Sequence, residues 1–72
     1  MPKLLSSKEI VAILLEHGFI FISQRGSHAK FRSRILGKVV TVIVPMGQKE
    51  MPSGTLRSII HQSELPKERF LD

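Results

Sequence analysis

A chain of 72 residues without a single cysteine has to hold itself together with its hydrophobic core. Disulfide scaffolds, thiolate zinc sites and cysteine nucleophiles are excluded together. A chain of this size buries roughly 60% of its unfolded surface, which suffices for one small domain but not for a large cofactor cleft. Rossmann folds, barrels and two-domain enzymes are therefore out of reach, and we expect residues 1–72 to form one domain. With 42% hydrophobic and 24% charged residues the chain has the balance of a globular protein rather than of a disordered tail. Its longest apolar run, Ile10 to Leu15, falls short of a transmembrane helix or a secretory signal. The lack of cysteine suits a reducing compartment, and the expected location is the cytoplasm.

Local signals divide the chain into helices and strands. Ser6 and Glu9 have the spacing of a capping box, and Leu5 and Ile10 that of a hydrophobic staple, so a helix is predicted from about Ser7. Ile10, Ile13, Leu14 and His17 repeat at helical spacing, and Gly18 supplies a residue that can take the left-handed conformation past the end. Phe19 to Ile22 is an aromatic and β-branched run, followed by Gln24, Arg25, Gly26 and Ser27, which read as a tight turn. His28 to Arg32 alternates, with Ala29 and Phe31 on one face and His28, Lys30 and Arg32 on the other. After a turn at Gly37, Val39 to Val44 forms a third strand ended by Pro45. Ser53 is the expected cap of a second helix with Leu56, Ile59 and Ile60 as its apolar stripe. Pro66 suits the start of a last short helix that Phe70 anchors.

These segments predict an α+β fold in the order α-β-β-β-α, a three-stranded antiparallel sheet with two helices packed on one face. The other face is left partly open. The strongly apolar Val39 to Val44 has two readings, a central strand or a strand whose outer face a partner chain covers. The four phenylalanines, Phe19, Phe21, Phe31 and Phe70, are expected in the core.

The formal charge of +5 is unevenly spread. His17 to Lys49 carries Arg25, Lys30, Arg32, Arg34, Lys38 and Lys49 with no acidic residue, while the two ends together sum to minus one. A one-sided basic block favours a polyanionic partner, the alternative being a solvated basic surface.

The catalytic options are few. His17, His28 and His61 stand apart from one another with no HxxxH or carboxylate pair, so no metal site is expected. The only aspartate is Asp72, which argues against a Ser-His-Asp triad. General acid/base work by a histidine beside fixed positive charge remains. RNA cleavage needs no more, because a base can take the proton of the ribose 2′-hydroxyl while cations meet the charge building on phosphorus. His28 has the surroundings for it. It follows a turn in which Gly26 lets the backbone approach a phosphate and Ser27 can donate a hydrogen bond, and Arg25, Lys30 and Arg32 lie close in sequence. On the residues alone, an ordinary exposed strand histidine in a solvated basic face is the favoured reading of His28, and the catalytic one is the alternative. His17, at a helix end, and His61, beside Arg57 and Glu64, read as surface residues.

Gly26, Ser27, His28 and Phe31, the Val44-Pro45 strand end, and Gly54, Thr55, Leu56, Arg57, Ile59 and Ile60 together resemble the HicA (YcfA-like) toxin family. The Ser7-Lys8-Glu9 helix start and the Gly18-Phe19 break also fit. The resemblance implies a fold like the double-stranded RNA-binding domain and a metal-independent, cofactor-free mRNA endoribonuclease that arrests translation. It also implies a HicB-like antitoxin as protein partner. His28 corresponds to the family's catalytic histidine, and Gly26 and Ser27 to the turn that presents it. Arg25, Lys30, Arg32 and Lys49 are the expected RNA-binding cations. Many members place a second histidine shortly after the Val-Pro pair, where this chain has Met46 and Gly47, and Lys49 is the nearest cationic substitute. A non-catalytic RNA-binding module of the same fold is the alternative, and a subunit inert without its partner is a third reading.

Overall fold

The computed structural model describes residues 4–35 and 37–71; the outermost positions of the expected domain, 1–3 and 72, lie outside them. The chain runs α1 (Ser7–Glu16), β1 (Ile20–Arg25), β2 (His28–Ile35), β3 (Lys38–Pro45), α2 (Ser53–Ser63), then a short 3-10 helix over Lys67–Phe70. This is the α+β order of the double-stranded RNA-binding domain. No helix of the described residues is long and apolar enough to cross a membrane.

Both ends of α1 follow from local chemistry. The Ser6 hydroxyl accepts from the Glu9 N–H at 3.1 Å and the Ser6 N–H donates to Glu9 Oε1 at 2.9 Å, the predicted capping box. At the other end Gly18 has φ +88°, and the N–H groups of Phe19 and Gly18 donate to the carbonyls of Leu14 and Leu15. That pairing is a Schellman motif, and it turns Phe19 into the core. α2 departs from expectation. Ser53 is its first helical residue rather than its cap, because Pro52 holds the extended cap position and no side chain bonds there.

The sheet is an antiparallel meander in the order β1-β2-β3. Ala29 and Phe31 of β2 and Val40, Val42 and Val44 of β3 are buried against Ile10 and Leu14 of α1 and Ile59 of α2, so both helices lie on one face. Burial of each such side chain contributes roughly 1.5–3 kcal/mol. β3 is an edge strand and not the central one, which overturns that reading of Val39 to Val44. Its apolar run is explained by both helices packing on Val40, Val42 and Val44, while Val39 and Ile43 stay exposed on the far face. β1 lies outside the helix layer, and all six of its residues are exposed. Phe21 is therefore 54% exposed rather than in the core, with its ring edge-on to Phe31 at 5.8 Å. Phe19, Phe31 and Phe70 are buried as expected.

The loop between β3 and α2 is tied down by the buried Ser7. Its hydroxyl donates to the Pro45 carbonyl at 2.7 Å and accepts from the Gln48 N–H at 3.0 Å, and its N–H donates to the Gln48 carbonyl. Met51, the fully buried residue of this loop, donates its N–H to the Leu5 carbonyl.

Candidate active site

The β1–β2 hairpin closes through the two-residue loop Gly26-Ser27, with Arg25 paired opposite His28. Gly26 has φ +58°, and a positive φ confined to the first loop position is the pattern of a II′ hairpin turn, which favours glycine there. A Cβ at Gly26 would meet nothing within 4 Å, so conformation and not space selects the residue. The Gln24 side chain donates to the Gly26 carbonyl at 2.9 Å, and the Met46 N–H donates to the Ser27 carbonyl. The turn is thus braced from its own strand and from the end of β3, and it holds His28 at a fixed place on the sheet margin.

An irregularity in β1 sets what surrounds that histidine. Phe21 pairs with Phe31, but Ser23 pairs with Lys30, leaving Ile22 as a bulge. Strict alternation would set Gln24 opposite His28 and turn Arg25 away. The extra residue shifts the register by one, which re-aims a strand's side chains. Ser23 and Arg25 consequently join His28 and Lys30 on the open face, where with Ile43 they line a depression of about 250 Å³.

Here a proton-accepting imidazole stands beside a guanidinium and an ammonium, in a sheet whose strands contain no acidic residue. The arrangement can take a proton from a bound hydroxyl and meet negative charge developing nearby. His28 is exposed, and Lys30 is half-buried. Among the described residues no three His, Asp or Glu side chains come together as a metal site.

Not every expected residue gathers at this point. Arg32 lies further along β2 on the same face, where its Nε–H donates to Thr41 Oγ1 at 3.4 Å. Lys49 lines a separate depression with Ser6, Ser7 and Lys8, because the Ser7–Gln48 bonds hold its loop against the start of α1. His17 is half-buried with its Nδ1 donating to the Ile13 carbonyl, and His61 is exposed on α2, away from the sheet. Lys38 is engaged by Glu64 at the end of α2, at 2.8 Å.

A family model described as the HicA toxin of bacterial toxin-antitoxin systems matches residues 7–65, the span from the start of α1 to just past α2. The chain belongs to the HicA toxin family. No curated protein matches the chain at a significant level. The HicA match takes in the whole braced hairpin and the depression on the open face, together with the core that supports them apart from Phe70.

Of the residues lining this depression in the HicA chain, the sequence singles out His28, Arg25 and Lys30 but not Ser23 or Ile43. Alternation with the inward Val42 and Val44 was signal enough to place Ile43 outward. Nothing local announces the Ile22 bulge that delivers Ser23.

Proposed function

We propose that the chain is the toxin of a type II toxin-antitoxin pair, an endoribonuclease that cleaves mRNA in the cytoplasm and so inhibits translation. The observation that supports this reading is the convergence of His28 with Arg25 and Lys30 on an acid-free sheet face. A HicB-like antitoxin is its protein partner.

In the proposed reaction His28 takes the proton of a ribose 2′-hydroxyl, and the oxygen attacks the adjacent phosphorus. The bond from phosphorus to the 5′-oxygen breaks, leaving a 2′,3′-cyclic phosphate on one fragment. The imidazolium returns its proton to the leaving 5′-oxygen, directly or through water. Arg25 meets the charge on the phosphoryl oxygens, the part a metal would otherwise play, so the chemistry needs no cofactor, and Lys30 holds the phosphate next in line. Ser27 and the Gly26 backbone seat the phosphate at the turn, and Arg32 holds the strand further along. Lys49, on its own loop, contacts RNA outside the depression.

Incubation with single-stranded RNA in EDTA tests the reading. The expected result is fragments ending in cyclic phosphate, lost in His28→Ala together with growth arrest, while the fold and antitoxin binding persist. Undiminished cleavage by that variant would overturn the assignment, and binding without any cleavage by the unaltered protein would leave an RNA-binding module.

A further inference from the structure

β2 places His28, Lys30, Arg32 and Arg34 at four successive alternate positions, all on the face away from the helices. Two residues of strand advance roughly 6.6–6.8 Å, comparable to the separation of successive phosphates along an extended RNA strand. The row begins at the hairpin turn and ends with the strand at Ile35. Ile20 and Val39, 61% and 54% exposed, flank its Arg34 end, and Ile43 flanks Lys30.

We propose that β2 is a phosphate track for single-stranded RNA. The scissile phosphate sits at His28, and the next phosphates on one side of it are met in turn by Lys30, Arg32 and Arg34. The inference rests on the nuclease reading and adds to it a further binding residue, Arg34, and a one-sided footprint. One-sidedness follows from the hairpin: beyond His28 the strand gives way to Gly26 and Ser27, and Arg25 stands across from it rather than in line. Single-strandedness follows from the flanks. Exposed apolar side chains beside a row of cations offer surface to splayed bases, as in other single-strand grooves, whereas a duplex keeps its bases stacked inside. The regular repeat on an acid-free sheet favours a polyphosphate over an acidic protein.

The test is kcat/KM on RNAs that share one mapped cleavage site and are shortened from either side. Shortening on one side should lower kcat/KM at each of three steps, and on the other side it should do little beyond the first nucleotide. Arg34→Ala should lower kcat/KM roughly fivefold on long substrates, the scale of an exposed ion pair, and leave the shortest substrate unchanged. Equal losses at every length, or symmetric dependence on the two sides, would overturn the track and leave the nuclease reading standing.

If the unaltered protein cleaves none of the series, the nuclease reading fails, and binding of oligouridylates of increasing length tests the track by itself. Affinity that rises to about four phosphates and loses its last step in Arg34→Ala supports it, and affinity indifferent to Arg34 overturns it. Polyglutamate bound with the same dependence on Arg34 would also overturn it and assign the row to an acidic protein.

Discussion

The two faces of β2 are built from alternate residues of one eight-residue strand and have opposite tasks. Ala29 and Phe31 are buried beneath the helices, while His28, Lys30, Arg32 and Arg34 face outward. The inward set is shared with β3 and held by packing. Among the described residues, the outward set is held by the strand, the braced turn and one bond to Thr41. Chemistry can therefore sit on a sheet this small without weakening it, because removing an outward side chain leaves no cavity.

His28→Ala should separate the faces most sharply. Loss of a general acid/base group lowers the rate by about 10²–10⁴-fold, and an exposed strand residue costs within about 0.5 kcal/mol of stability. Cleavage assays beside urea unfolding would show both, and a large drop in stability would mean that the two faces are not independent. Phe31→Ala, three residues along the same strand, should do the reverse. It removes a fully packed ring and should cost about 3–5 kcal/mol. The midpoint in urea reports that loss, and any activity surviving in the folded fraction should retain its ordinary KM.

Ser7→Ala probes the joint between the faces. It strips the hydroxyl from the Pro45 carbonyl and the Gln48 N–H, two part-buried hydrogen bonds, for an expected cost of about 1–2 kcal/mol. Because the Met46 N–H braces the Ser27 carbonyl, loosening this loop should also reach the hairpin. Faster hydrogen exchange at the Met46 amide, beyond the global loss of stability, is the signature to look for.

What could be read from the sequence was what short-range chemistry decides. The Ser6–Glu9 capping box, the stop at Gly18 and the alternation of His28 to Arg32 each need only a few neighbouring residues, and each stands in the structure. The errors lie where distant segments decide. Val39 to Val44 reads as a central strand until two helices are seen to cover one side of an edge. Ser53 was outcompeted by Pro52, whose ring already sets the extended entry to α2. Phe21 looks like core, but the helices stop short of β1. The site divides in the same way: His28 and Lys30 follow from β2 alone, whereas Arg25 owes its place to the Ile22 bulge and Lys49 is drawn aside by Ser7. Neither the bulge nor the tie has a sequence signal shorter than the fold itself.

Two lysines supply the finest comparison. Lys30 faces outward in the depression with His28. Lys38 shares the inward parity of Val40 and reaches Glu64 at the end of α2, with both side chains well exposed. Net charge alone makes the two equivalent. The sheet makes them different, because of the two only Lys30 stands in the depression where the proposed reaction puts RNA. Lys30→Ala should therefore lower the slope of log affinity against log salt by about 1, the share of one phosphate contact. Lys38→Ala should leave that slope unchanged and cost at most about 1 kcal/mol of stability, since an exposed ion pair contributes little. RNA titrations of the two variants at several salt concentrations decide the matter. Equal slopes would mean that RNA responds to the overall charge of the molecule, and that the division between the two faces of the sheet does not govern binding.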